Sequence, residues 1–427
     1  MNYREAIQFL YDLQLFGARF GLETTLRLAA LAGNPHERLR FIHVAGTNGK
    51  GSTCAMLESI YRAAGLRVGL YTSPHLVHFG ERIQVNRQPI AERDLVELVA
   101  DMQSKLHGFT ADSPPTFFEV VTVIALEYFA RQKCDLVIWE TGLGGRLDAT
   151  NIVTPLASVI TNIQFDHQKW LGATLAEIAS EKAGIIKPGV PVVTATDDAE
   201  AFEVIRATAE RLGSPLTRVV EEDARHKAPA LGEMSLVGEY QRRNAALALA
   251  TVEVLRPTFP VTPSRAYWAL ANVEWSGRFQ LIRRGDGAEL LLDGAHNPAG
   301  AEALRSAVEH YFPAGITALI LGILIDKDCH AICRILAPLA PRIFLVPVHS
   351  ARTALTPDLS ASCRAANPVA EIVECAGLGA ALDRAGISGL SLVTGSLYLV
   401  GEALELLRFG NGGGPGERDL NEWSVKP

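Results

Sequence analysis

Lys50 stands among three glycines in HVAGTNGKGST, His43 to Thr53. A strand-like apolar run precedes this segment and a helical pattern follows it from Ser52. That setting suits a phosphate cradle. Backbone N–H groups of Gly46, Asn48, Gly49 and Gly51 can point inward, the helix dipole adds positive potential, and glycine permits close approach. Lys50 is placed to reach the β- and γ-phosphates, and Ser52 to offer a hydroxyl to a metal ion. The common pattern G-x-x-x-x-G-K-[ST] is nevertheless missed at both ends. Val44 occupies the first glycine position, and Gly51 separates Lys50 from Ser52. A glycine-rich βα turn without a ligand is the plain alternative, but it gives no reason for the lysine.

Six further segments carry candidate chemistry. In CDLVIWETGLGGRLDATN, Cys134 to Asn151, Glu140 ends a buried strand ahead of a glycine-rich turn. A carboxylate there suits Mg²⁺, a hard cation that prefers oxygen. Read alone, Glu140 serves equally as a strand-end surface acid, and Arg146 with Asp148 as a solvated loop pair. In TNIQFDHQKWLG, Thr161 to Gly172, Asp166 and His167 follow another strand end. Ligands of open α/β sheets bind off the carboxyl ends of the strands, so these residues point to the same crevice as Glu140. AEIASEKAGIIKPG carries Lys182 on the last turn of a helix that Thr174 and Glu177 cap. The default there is an exposed lysine favoured by the helix dipole, and nothing in the residues selects Lys182 over Lys187. LLLDGAHNPAG repeats the strand–turn–helix layout with Asp293 and His296, while EWSGRFQ offers Arg278 and GEYQRRNAALAL offers Asn244.

These side chains need a scaffold, and the chain alternates strand-like and helical patterns. Strands are expected at Leu39–Val44, Val68–Tyr71, Asp135–Glu140, Ala157–Ile163 and Pro191–Thr196, with helices at Ser52–Ala64, Phe118–Gln132, Leu175–Ala183, Ala199–Leu212 and Tyr240–Leu255. A second series places strands at Leu290–Asp293, Ala318–Leu324, Arg342–Val348 and Leu390–Thr394, with helices near Ala299–Tyr311, Cys329–Ala337 and Tyr398–Leu407. The polar break RRGDGAE, Arg283 to Glu289, lies between the series. The expected fold class is therefore α/β. Residues 1–284 form an ATPase-like phosphate-loop domain with a parallel-rich sheet, and residues 289–427 form a smaller Rossmann-like domain. The ending FGNGGGPGERDLNEWSVKP reads as a loose tail.

The 427 residues, 48% hydrophobic, suffice for two or three domains with sizeable cores. A net charge of −7 gives no electrostatic reason to expect nucleic acid or an anionic membrane as partner. The six cysteines form no C-x-x-C pair, which favours reduced thiols in a cytoplasmic protein over a zinc site or a disulfide framework. The N-terminus lacks the basic start and apolar run of a signal peptide, and no segment reads as a membrane span.

Taken together, AGTNGKGST, YTSPHL, TGLGGRLDATN, DH, EKAGI, GEYQ, GRFQ, LDGAHNP and GILIDKD, in this order and spacing, resemble the folylpolyglutamate synthase/dihydrofolate synthase family of the Mur ligase superfamily. The likeness covers nearly the whole chain, and the odd loop with Gly51 before Ser52 is this family's own form. It implies an ATP-dependent ligase that phosphorylates a carboxylate and then joins it to the amine of L-glutamate. By resemblance, Thr47, Asn48, Gly49, Lys50, Gly51 and Ser52 bind the phosphates of ATP, and Asn244, Arg278, Asp293 and His296 complete the nucleotide site between the domains. Ser73, Glu140 and His167 would hold two magnesium ions. Lys182 matches a lysine carried as a carbamate, and Lys50, Lys182 and His167 are the expected catalytic residues. Gly21, Leu22, Glu23, Phe117, Phe118, Glu119, Arg146, Leu147 and Asp148 would line the pterin side, for dihydropteroate, folates or both. A monomer is expected. A non-enzymatic phosphate-loop switch is one alternative. A Mur-type peptidoglycan ligase is another, opposed by the few residues ahead of His43, too short for a UDP-sugar domain.

Overall fold

The computed structural model describes residues 1–14, 21–109, 114–229, 233–284, 287–386, 389–409 and 417–421. Eight strands build the first sheet: β1 (Phe41–Ala45), β2 (Val68–Tyr71), β3 (Ile83–Val85), β4 (Gln88–Pro89), β5 (Leu136–Glu140), β6 (Ala157–Ile160), β7 (Val192–Thr194) and β8 (Leu216–Arg218), in the order β4-β3-β2-β5-β1-β6-β7-β8. Pairing is parallel from β2 through β8, and β3 and β4 add an antiparallel edge. Helices cover both faces, which is why Val137, Ile138 and Trp139 of β5 are all fully buried and the strand reads as one apolar run.

The second sheet holds β9 (Gln280–Arg283), β10 (Glu289–Leu292), β11 (Ala318–Leu321), β12 (Arg342–Leu345), β13 (Glu371–Glu374) and β14 (Leu390–Thr394), in the order β13-β12-β11-β14-β10-β9. It is parallel except at β9, which runs antiparallel to β10. The two strands that flank the polar break thus pair antiparallel inside this sheet, with Arg283 opposite Glu289. A boundary drawn at residues 284–289 would part β9 from β10, so the division between the sheets lies ahead of Gln280. No helix among the described residues is long and apolar enough to cross a membrane.

Two features fix the surroundings of the phosphate loop and its cleft. The helix Lys50–Ala63 packs Met56, Leu57, Ile60 and Tyr61 against Leu247 and Leu270 of the helices Glu239–Val254 and Pro263–Ala271, so the loop ahead of it sits on a rigid base. At the other end of the chain, residues 417–421 are not a loose tail but a short 3-10 helix with Leu420 and Asn421 buried. Tyr3 donates a hydrogen bond of 2.8 Å to the Glu417 carboxylate, tying this segment to the first helix, Tyr3–Gln14. The rest of that glycine-rich ending lies outside the described residues.

Candidate active site

The phosphate loop leaves β1 at Ala45 and turns at Gly46, whose φ is +147°. A Cβ there would lie 1.8 Å from Thr161 Oγ1, so only glycine fits. At Gly49, φ is +84° and a Cβ would meet Asn244 Oδ1 at 2.4 Å. At Gly51 a Cβ would come within 3.0 Å of the Trp275 ring. This gives a physical reason for glycine where the common loop has a hydroxyl residue: the indole of the linker lies against the helix start. The serine is displaced to the next position, where Ser52 is buried and accepts from Gln241 Nε2 at 3.2 Å. Asn244 in turn donates to Gln241 at 2.9 Å.

The loop is held from β6. The Thr47 amide donates to the Asn162 carbonyl at 2.9 Å, the Asn48 amide to Asn162 Oδ1 at 2.8 Å, and Thr161 Oγ1 to the Asn48 carbonyl at 2.6 Å. The Asn48 amide is therefore spent on the Asn162 side chain and is not among those turned to a ligand, contrary to expectation. Lys50 Nζ curls back onto the carbonyls of Gly46 and Thr47 at 3.1 and 3.2 Å.

Lys182 is buried, not an exposed helix-end lysine, and its Nζ donates to the Gly46 carbonyl at 2.8 Å. Burial, with Lys50 adding to it, pulls its pKa down to about 7. Lys187, which the sequence could not separate from it, donates instead to the Asn151 carbonyl at 3.1 Å. Glu140, at the end of β5, accepts from the Ser73 amide at 3.0 Å, and burial pushes its carboxyl up to about 7 against the pull of Lys50. His167 is left-handed, with φ +53°, and burial together with Lys327 holds its pKa near 3.

These groups, with Asn244, Arg278, Asp293 and His296, line one cleft of about 780 Å³ between the two sheets. Asp293 is the fixed point of its far wall, accepting from the amides of Phe279 and Ala295 at 2.8 and 2.9 Å. The walls are tied directly. Asp166 and Lys327, each about 7% exposed, pair at 2.5 Å, and Asn297 bridges Asp166 and Asn48 at 3.1 and 3.0 Å. Burial alone would raise the Asp166 carboxyl, but its bond to His296 and the charges of His167 and Lys327 hold it well below the usual range.

A smaller cleft of about 260 Å³ opens from the first past Ser73, Pro74, Gly142, Leu143, His167, His296 and Leu397, which line both. Phe117, Phe118, Glu119, Leu147 and Asp148 line it, as expected. Phe118 is the more exposed of the two rings, lying over Gly142, while Phe117 is mostly core. The carboxylates here are structural. Glu119 caps its own helix through Thr116, and Asp148 accepts from the amides of Leu143 and Thr150.

Two expectations fail. Arg146 lines neither cleft, because its guanidinium turns outward onto Glu181 at 2.7 Å. Gly21, Leu22 and Glu23 line neither cleft either. They lead into the helix Glu23–Leu31, which touches the pocket wall through Thr25 Oγ1, donating to Glu119 at 3.4 Å. Phe20 lies outside the described residues. Conversely, sequence reasoning assigned no role to Lys327, Arg82, Trp275, Asn297 or residues 417–421. The motif GILIDKD was the one signal for Lys327, and it named no partner.

A nucleotide-type loop on one parallel sheet, facing an Asp–Gly–Ala–His turn on another across a cleft, is the architecture of a Mur-type ligase. Residues 44–252 match the Mur ligase middle domain, and residues 277–397 match the Mur ligase glutamate ligase domain. A dihydrofolate synthase/folylpolyglutamate synthase of Bacillus subtilis is 35% identical over 95% of this chain and 99% of its own length. A solved folylpolyglutamate synthase of Thermotoga maritima has TM-score 0.82 and 34% identity, covering 96% of this chain and 97% of that one. E. coli FolC, solved with DHPP and ADP, has TM-score 0.84 and 30% identity, covering 95% and 97%. This chain belongs to the folylpolyglutamate synthase/dihydrofolate synthase family of ATP-dependent ligases.

Proposed function

We propose that the protein joins L-glutamate to a carboxylate of dihydropteroate or of a folate, through an acyl phosphate, and that one site serves both. The observation that carries this reading is the union of the two clefts. A polar chamber with the phosphate loop opens directly into a smaller one walled by Phe117, Phe118 and Leu147. ATP occupies the first and a flat aromatic body the second, so the substrate carboxylate meets the γ-phosphate where they join, at Ser73, His167 and His296. The carboxylate oxygen attacks the γ-phosphorus and ADP leaves. The glutamate amine then attacks the acyl carbon, and phosphate departs from the tetrahedral intermediate. Lys50 and the loop amides offset charge on the transferred group.

Ser73, Glu140 and His167 are the side chains offered to Mg²⁺. Among the described residues no three His, Cys, Asp or Glu side chains cluster closely enough to hold a metal by themselves. That fits a magnesium ion that takes one or two protein ligands and fills its shell with phosphate oxygens and water. When bound, the metal supplies charge neutralisation at the phosphates. Burial shifts the Lys182 ammonium toward the neutral amine that carbamylation requires.

The deciding measurement is phosphate release by the purified chain, with ATP and each pterin substrate, with and without glutamate. Release that requires both pterin and glutamate is expected. Release from ATP alone at the same rate would point to a switch. Turnover of only dihydropteroate, or only tetrahydrofolate, would defeat the claim of two activities and leave the ligase in place.

A further inference from the structure

Arg82 closes the 3-10 helix Phe79–Arg82 and is 3% exposed, yet among the described residues no carboxylate stands within ion-pair distance of it. Its Nε donates to His75 Nδ1 at 2.8 Å and its Nη2 to Asn421 Oδ1 at 2.6 Å, and its guanidinium carbon lies 5.4 Å from the centre of the Phe117 ring. Both acceptors are neutral. His75 Nδ1 accepts, so its proton is on Nε2, which donates to the Glu417 carbonyl at 2.9 Å. The nearby Glu81 carboxylate is taken by the amides of Leu76, Val77 and His78. A guanidinium does not deprotonate in proteins, so this is a buried charge with donors to spare and no direct ion pair, offset only at longer range by Glu140 and Glu81.

The other cations of the smaller cleft are already engaged: Lys327 pairs with Asp166, and Arg352 faces Asp326 at 3.4 Å. Arg82 lines the smaller cleft and not the larger, so it is set apart from the phosphate-binding wall. The anion it awaits must therefore arrive on the ligand whose aromatic body lies against Phe117 and Phe118. If the reacting carboxylate sits where the clefts meet, a second carboxylate two methylene groups back along the same ligand falls beside this wall.

We infer that Arg82 binds the non-reacting α-carboxylate of a glutamylated folate, and that His75 and Asn421 of the C-terminal segment position its guanidinium. The inference rests on the proposed folate function. It distinguishes the two reactions, because dihydropteroate has no such group.

The test is equilibrium binding to the full chain of two ligands: tetrahydrofolate and its analogue with γ-aminobutyrate in place of glutamate, which lacks only the α-carboxylate. Wild-type protein prefers the first by about tenfold or more, as a charged hydrogen bond commands. Arg82→Gln brings the preference close to unity, and Arg82→Lys restores part of it. Asn421→Asp supplies an internal carboxylate and so also erodes the preference, by competition. This variant serves where loss of Arg82 prevents folding. Equal weakening of both ligands by Arg82→Gln, or a preference kept in Arg82→Gln or in Asn421→Asp, overturns the inference. Wild-type protein that binds neither ligand sinks the folate reading and this one with it, and that result is distinct from equal weakening.

Discussion

At the scale of the residue, Lys50 and Lys182 meet at the Gly46 carbonyl, and their roles differ by burial. Lys50 has cleft around it and supplies charge to phosphates. Lys50→Ala is expected to lower turnover about 10²–10³-fold, the range seen when one preorganised charge-stabilising donor is lost. The melting temperature should hardly move, since the helix behind the loop keeps its apolar packing. Near-wild-type turnover at saturating ATP would remove Lys50 from the site. Lys182 is the opposite case: burial makes its ammonium unfavourable and its neutral amine available near pH 7. Its folded pKa lies below that of an ordinary lysine, so the amine is free above about 7 and protonated below. Labelled ¹³CO₂ should therefore give a carbamate carbon signal at pH 8 that fades as pH falls through about 7, and Lys182→Ala should abolish both signal and activity. The same signal in Lys182→Ala would assign the carbamate to another amine. The sequence showed the lysine but not its burial, because burial here comes from the loop of another strand folding over the helix.

At the scale of the element, the phosphate loop shows why some of the fold was legible and some was not. β1, β5 and β6 are central and parallel, buried on both faces, so their apolar runs declared themselves. β3 and β4 span three and two residues at the sheet edge, too short for any period to register. β9 was missed because it runs into the polar turn that looked like a linker. The loop's odd spelling was visible, but its cause was not, since Trp275 lies far along the chain and reaches Gly51 only in the folded state. Steric demand on these glycines is measurable. Gly46→Ala forces a Cβ against Thr161 in a backbone region that side chains avoid, and should cost roughly 2–5 kcal/mol in urea unfolding. Gly33→Ala, at φ +76° in open space, should cost only about 1 kcal/mol. Equal losses would mean that the loop is not built around the Thr161 contact.

At the scale of the whole molecule, the two sheets are joined by polar ties across the cleft and by a limited apolar contact, Leu76 and Val77 after β2 packing into the core of the second sheet. Each hydrophobic cluster belongs largely to one sheet, whereas Asp166–Lys327 and Asn48–Asn297 cross between them. Asp166 was legible as a strand-end acid and Lys327 as part of a motif, but no pattern links residues so far apart in sequence. Their pairing places the expected metal-binding His167 within 3.4 Å of Lys327 Nζ, so the tie and the chemistry share one spot. A buried pair stabilises little relative to apolar contacts, but removing one partner strands the other charge at a cost of about 3–5 kcal/mol. That cost falls on the closed arrangement, because opening the cleft returns Asp166 to water and, of the apolar packing, strains mainly the Leu76–Val77 contact with the second sheet. Lys327→Gln should accordingly increase the radius of gyration of the ligand-free protein in small-angle scattering. In calorimetry its unfolding should separate into two transitions, one for each sheet and its helices. The residual bonds of Asp166 to His296 and Asn297 predict partial opening, which ATP together with a folate substrate should reverse. Scattering and calorimetry indistinguishable from wild type would mean that the Leu76–Val77 contact and the segment 417–421 hold the domains, and that the Asp166–Lys327 pair serves the site alone.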